Sequence, residues 1–147
     1  MGNSLLAVRD INHKYIVVGG ETDLIQLNYR DAKPIYEQIK DGLKHLLVSK
    51  AIETGEKLPS VRELAASLAI NPNTIQRAYK ELESEGYIYT VSGKGTFAAG
   101  QDDVVEIRKE ELFLQFDSVT SELLYLSVKP EALTERITDL GEGGKRE

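Results

Sequence analysis

The chain has 147 residues, which suits one domain, or a small domain with an appendage, and no separate ligand-binding domain of ordinary size is expected after Phe97. Its formal net charge of -6 would repel a phosphate backbone at long range, so a nucleic-acid function requires the charge to be unevenly placed. Cysteine is absent, which excludes a disulfide framework, a thiolate metal site and a thiol nucleophile.

Residues 1–23 do not fit the pattern of the rest and are read as an N-terminal extension or leader, outside the fold. Met1-Gly2-Asn3-Ser4 resembles a myristoylation start, yet Leu6 stands where Ser or Thr is required. Tyr15 to Val18 is apolar but far too short to span a bilayer, and there is no signal-peptide core. We expect a cytoplasmic protein with no membrane partner.

Leu24, Ile25, Leu27 and Tyr29 suggest a short strand or arm, since Ile25, Leu27 and Tyr29 keep a period of two. Pro34 to Lys50 predicts a scaffold helix with Ile35, Tyr36, Ile39, Leu43, Leu46 and Leu47 on one face and Glu37, Lys40 and Lys44 elsewhere. His13 and His45 lie far apart. Asp41 precedes His45 by one helical turn, a spacing that reads as a surface ion pair rather than a ligand set, so no metal is expected.

Ser60 and Glu63 form an S-x-x-E capping box, and Val61, Leu64, Ala65 and Leu68 then share one helical face. Asn71 can cap a second helix whose first position is Pro72 and whose buried stripe is Ile75, Ala78, Tyr79 and Leu82; Gly86 ends it. Only Ala69 and Ile70 remain for the turn between the stripes, which suits the steep crossing of a helix-turn-helix. The outward positions of the second helix are Asn73, Gln76, Arg77 and Lys80. Amide and cationic side chains of this kind bond base edges and phosphates without bringing a carboxylate to the DNA.

After Gly86, Tyr87 to Val91 is β-branched and aromatic, Ser92-Gly93-Lys94-Gly95 is turn chemistry, and Thr96-Phe97 resumes a strand. A hairpin tip with Lys94 between two glycines can bring backbone amides and one cation close to a phosphate. Taken blandly, the same tip is a solvated turn.

These residues resemble the winged helix-turn-helix of the GntR family of bacterial transcription regulators. The resemblance rests on Leu58-Pro59-Ser60, Arg62, Leu64-Ala65, Asn73-Thr74, Ala78, Leu82-Glu83, Glu85-Gly86 and Gly93-Lys94-Gly95-Thr96, with Pro34 to Ile39 and Ile52 to Gly55 similar to the preceding helix and its exit. It covers roughly half of the chain and begins near Leu24. It implies that Arg62 contacts DNA from the first helix of the motif, that Asn73, Thr74, Gln76 and Arg77 sit at the major groove, and that Lys94, Gly95 and Thr96 form the wing contact. Ser60, Asn71 and Lys80 complete the candidate DNA-binding set. Other branches of the family carry arginine where Pro72 and Gln76 stand, so their base contacts do not transfer. Asn71-Pro72-Asn73-Thr74 resembles the YtrA-type branch, whose members have a short helical C-terminal part; that branch implies a homodimer and local control of a neighbouring operon, often one for an ABC transporter.

The charge distribution removes the objection raised by the net charge. Residues 1–33 carry four basic and four acidic side chains, residues 34–97 eight and eight, and residues 98–147 six and twelve. Ser60 to Lys80 sets Arg62, Arg77 and Lys80 against Glu63 alone. The excess acid follows the wing. Affinity per domain is expected to be modest, which favours two domains on one two-fold symmetric operator.

Leu112, Phe116, Val119, Leu123 and Leu126 recur as an a/d seam across about two heptads, broadened by Phe113 and Leu124. Pro130 opens a shorter helix with Leu133, Ile137 and Leu140, closed by Gly141. Such faces either self-associate or fold back on the winged helix; self-association is expected.

No cofactor is implied, and Gly19-Gly20 and Gly93 to Gly95 lack the context of a phosphate loop, so an enzyme is not expected. The expected architecture is mainly α with a small β-hairpin: a DNA-binding winged helix-turn-helix over 24–99 and a helical dimerisation segment with a flexible tail over 100–147. Its partner would be a double-stranded DNA operator. A winged helix serving protein–protein contacts is the competitor, and it would expose apolar residues where Asn73, Gln76, Arg77 and Lys80 stand. Any small-molecule effector, of unknown identity, would need a small or shared site.

Overall fold

The structure is a computed structural model that describes residues 5–9, 14–18 and 21–143, with side chains described for 27–143. The last four residues of the expected flexible tail, 144–147, the first four residues, His13 and Gly19-Gly20 lie outside the described residues. The chain divides between Arg108 and Lys109 into two compact units.

Strands β1 (Leu5–Arg9), β2 (Lys14–Val18) and β3 (Glu21–Leu27) form an antiparallel sheet in that order, with a register irregularity between Val17 and Val18. The stretch set aside as an extension therefore carries strands. Tyr15-Ile16-Val17-Val18 is β-branched and aromatic, the composition of a strand, although it is far too short to cross a membrane. The expected arm at Leu24 to Tyr29 starts earlier, at Glu21, and stops at Leu27. Beyond it Asn28 Oδ1 accepts the Arg30 N–H at 2.9 Å and turns the chain.

Helix α1 (Ile35–Val48) follows Pro34. Gln38, buried on its first turns, accepts the Asn28 N–H at 2.8 Å and donates to the carbonyls of Asn28 and Lys33 at 2.9 and 2.8 Å, so one amide side chain fastens β3 to α1. Asp41 pairs with Lys33 at 2.6 Å on the surface, and that pair holds the Lys33 ammonium above its usual range.

Helix α2 (Val61–Leu68) begins with the capping box read from the sequence: the Glu63 N–H donates to Ser60 Oγ at 3.1 Å and the Ser60 N–H to Glu63 Oε2 at 3.0 Å. Ala69 takes a left-handed conformation (φ 49, ψ 50), which lets the Ile70 N–H return to the Ala65 carbonyl at 3.0 Å and stops the helix. Asn71 Oδ1 then accepts the Asn73 N–H at 2.9 Å, and α3 (Pro72–Glu85) starts with proline where no amide is needed. Gly86, at φ 92, ends α3. A Cβ there would lie 3.0 Å from Ile107 Cδ1.

Strands β4 (Ile88–Val91) and β5 (Gly95–Ala98) form the expected hairpin, pairing Ile88 with Ala98 and Val91 with Gly95. The segment just before the helix-turn-helix lines the other edge of β5. Gly55 N–H donates to the Ala98 carbonyl at 2.9 Å, Ala98 N–H to the Glu56 carbonyl at 2.9 Å, and Leu58 N–H to the Thr96 carbonyl at 2.8 Å. Strand β5 is thus bonded along both edges.

One apolar core joins these elements: Leu27 from β3; Ile39, Leu43, Leu46 and Leu47 from α1; Leu64, Ala65 and Leu68 from α2; Ile75, Ala78, Tyr79 and Leu82 from α3; with Ile52, Leu58, Tyr87, Ile88, Ala98 and Val104. A fully buried Leu or Ile of this kind contributes roughly 1.5–3 kcal/mol relative to exposure. Val104 belongs to the start of α4 (Gln101–Tyr125).

In the second unit, α4 continues to Tyr125 and α5 spans Pro130–Gly143. Ser127, at φ 67, closes α4, with its N–H and that of Val128 donating to the Leu124 and Leu123 carbonyls, both at 3.0 Å. Gly141 does not end α5, contrary to the expectation. An exposed glycine costs a helix only about 1 kcal/mol and does not by itself terminate it. No described helix is long and apolar enough to cross a membrane.

Candidate nucleic-acid interface

Helix α3 buries Ile75, Ala78, Tyr79 and Leu82 and leaves Asn73, Gln76, Arg77 and Lys80 exposed, as its period of 3.6 requires. Thr74, beside this row, is half-buried, and Arg62 is exposed on α2. Ser60 and Asn71 are exposed, but each already spends its side-chain oxygen on a helix cap. At the wing tip Lys94 is exposed, whereas Gly95 and Thr96 are half-buried. Thr96 Oγ1 lies 3.3 Å from Thr90 Oγ1 across the hairpin.

The acidic residues of the motif are turned to protein partners. Glu63 completes the cap of α2. Glu81 lies 2.9 Å from Lys40 Nζ and 3.5 Å from Arg77 Nε, Glu85 pairs with both Lys40 and Lys44, and Glu83 accepts the Thr90 N–H at 3.1 Å. The hydrogen bond from Lys40 holds the Glu81 carboxyl below its ordinary range. Burial pulls the Lys40 ammonium down, but hydrogen bonds to Glu85 and Glu81 outweigh it and leave its pKa raised. Three carboxylates on α3 therefore neutralise lysines of α1 or anchor β4, and the cations and amides of α3 face outward.

Two features were not read from the sequence. Lys40 and Lys44, placed off the apolar face of α1, do not stand in solvent; Lys44 is only 8% exposed and its ammonium lies 5.0 Å from the Tyr87 ring centroid. Their partners on α3 are some forty residues away, beyond the reach of any local pattern. Lys57 was not singled out either. It bridges Phe97, and its side chain lies across Gly95, where a Cβ would come 2.7 Å from Lys57 Cε. A second exposed cation therefore stands beside the wing.

The description "Bacterial regulatory proteins, gntR family" matches residues 35–98, from the start of α1 to the end of β5. The HTH-type transcriptional repressor YtrA of Bacillus subtilis (strain 168) is 39% identical over 128 residues, which span 84% of this chain and 98% of YtrA. The chain belongs to the GntR family. A second relative of this GntR protein, the uncharacterized HTH-type transcriptional regulator YhcF of the same organism, is 39% identical over 79% of this chain and 97% of its own length. Among solved structures, a GntR family transcriptional regulator from Listeria monocytogenes superposes with a TM-score of 0.62 at 37% identity, covering 76% of this chain and 98% of that one. A transcriptional regulator from Oenococcus oeni gives 0.63 at 35% identity, with 78% and 96% covered. This GntR protein is a DNA-binding transcription regulator of the winged helix-turn-helix type and not an enzyme.

The expected seam lies in the second unit. Leu112, Phe113, Phe116, Val119, Leu124 and Leu126 are exposed and Leu123 is half-buried. On α5, Ile137 and Leu140 are exposed as well.

Proposed function

We propose that this GntR regulator is a repressor that binds a two-fold symmetric operator as a homodimer and controls a neighbouring operon, an ABC-transporter operon being the class its YtrA-type resemblance implies. Helix α3 would enter the major groove with Asn73, Thr74, Gln76, Arg77 and Lys80, supported by Arg62 and by Ser60 and Asn71 at the helix starts. Lys94, Gly95 and Thr96 would bring the wing to the flanking phosphates, with Lys57 adding a second cation. The carrying observation is the division of charge on α3: cations and amides outward, and all three carboxylates engaged by the protein.

The dimer is supported by the seam from Leu112 to Leu126. So many exposed large apolar side chains exceed what a monomer's surface normally carries, and a second copy of the same seam is their natural cover. We assign residues 24–99 to DNA binding and 100–147 to dimerisation. A protein-interaction winged helix is less well supported, because the outward row of α3 holds no large apolar residue.

Replacing Arg77 tests the reading. Arg77→Ala should weaken operator binding about tenfold or more, the order of one good base contact, while sedimentation still reports the same oligomer. Unchanged affinity would remove Arg77 from the interface.

A further inference from the structure

Tyr36 is the second residue of α1, on the helix treated above as scaffold, and it is half-buried. Its ring carries the guanidinium of Arg77, whose central carbon is 3.7 Å from the ring centroid. That is van der Waals distance for a cation lying on a ring face. The Nε edge of the same guanidinium faces Glu81 Oε1 at 3.5 Å, and the other oxygen of Glu81 is held by Lys40 at 2.9 Å. The Tyr36 ring is itself held by packing against the apolar core, and its hydroxyl donates to the adjacent Glu37 Oε1 at 3.0 Å. Arg77 thus rests on a ring along one face and on a carboxylate along one edge.

The stack does not hide Arg77. Its side chain keeps 60% of its surface exposed, and among the described residues Glu81 is its one ion-pair partner, which leaves the outer fork of the guanidinium open. An arginine free to rotate loses side-chain entropy when it docks, whereas one already stacked loses less and meets a planar acceptor pair in a set orientation. The acceptor pair matching that fork in the major groove is N7 and O6 of guanine.

We propose that Tyr36 is a positioning residue for operator specificity: its ring, opposed by Glu81, fixes the Arg77 fork so that it reads one guanine in each half-site. This rests on the reading of α3 as the major-groove helix. The ring face is what matters, and the hydroxyl is dispensable.

The experiment uses the full chain and the protein's own upstream promoter duplex, with single-base substitutions across each half-site and an unrelated duplex as reference. Tyr36→Phe keeps the ring and should bind within about twofold of wild type. Tyr36→Leu keeps apolar bulk without a π face and should lose about tenfold on the promoter, little on the unrelated duplex. The loss should vanish on promoters whose decisive guanine has been replaced. In a double-mutant cycle, Tyr36→Leu should add nothing once Arg77 is already alanine. Four results would overturn the proposal: independent, additive losses; a Tyr36→Phe loss equal to that of Tyr36→Leu; full binding by Tyr36→Leu; or equal loss on both duplexes, which would mean a phosphate contact or a damaged fold. If wild type itself shows no promoter preference, the groove-reading assignment of α3 fails first, and this proposal fails with it.

Discussion

Glu83 on the last turn of α3 accepts the backbone N–H of Thr90 at 3.1 Å, so α3 holds the first strand of the wing by one side chain. Helix and wing are therefore set relative to each other before DNA arrives. Glu83→Ala should lower operator affinity severalfold and stability by about 1 kcal/mol, the usual net worth of one such bond. Glu83→Gln keeps an acceptor oxygen and should retain most of both. Titration of the two variants alongside thermal melts checks this; wild-type affinity and stability in Glu83→Ala would show that the wing needs no such anchor.

Lys57 provides a test of the wing. If it and Lys94 each neutralise one phosphate, Lys57→Met should weaken binding to all sequences alike and reduce the slope of log affinity against log salt by about 1 per domain. A sequence-dependent loss with an unchanged slope would mean that Lys57 only shapes the hairpin around Gly95.

The turn of the helix-turn-helix holds a correctable strain. Ala69 is left-handed at φ 49, a region that costs a residue with a Cβ roughly 1–2 kcal/mol. Ala69→Gly removes this cost but adds about 0.4–1 kcal/mol of unfolded-chain entropy, so a net gain on the order of 0.5 kcal/mol is expected in denaturant unfolding. A loss would show that the alanine methyl makes packing worth more than the strain.

The ion cluster between α1 and α3 should give stability a defined pH window. Glu81 has its pKa lowered from 4.5, chiefly by the Lys40 hydrogen bond, so its contribution is present above that value and is lost as pH falls through the lower folded value. Lys40 is raised from 10.5, so its contribution is present below 10.5 and is lost as pH rises through the folded value. The stability gap between wild type and Glu81→Gln should therefore be flat near neutrality and shrink in acid. A gap that widens in acid would contradict the sign.

The seam can be tested apart from DNA. Phe116→Asp places a charge that a packed interface cannot desolvate cheaply, and should give monomers with much weaker operator binding. Sedimentation decides this; a surviving dimer would move the interface off the Leu112 to Leu126 face.

Features legible in the sequence were those whose chemistry is local. The Ser60–Glu63 capping box, the Asn71 cap before Pro72, the Gly86 stop and the Gly93 to Gly95 turn each close a hydrogen bond or accept a left-handed residue within a few positions. The contacts that shape the candidate site join distant segments. Tyr36 meets Arg77, Lys40 meets Glu81 and Glu85, and Lys57 meets Gly95, and no helical or strand period encodes these pairs. Tyr36 shares the apolar stripe of Ile39 and Leu43 and packs against the core as that stripe predicts, but its period says nothing of the cation its ring also carries. The strands before Leu24 are illegible for another reason: Tyr15 to Val18 is a four-residue apolar run without the alternation that marks a half-buried strand.

The most direct measurement is fluorescence anisotropy of the full chain on its own upstream promoter against an unrelated duplex of equal length, across a salt series. Promoter-selective binding that weakens steeply with salt is predicted for a dimer reading bases through α3 and phosphates through the wing. Equal binding to both duplexes, or none at low salt by a folded dimer, would contradict that account.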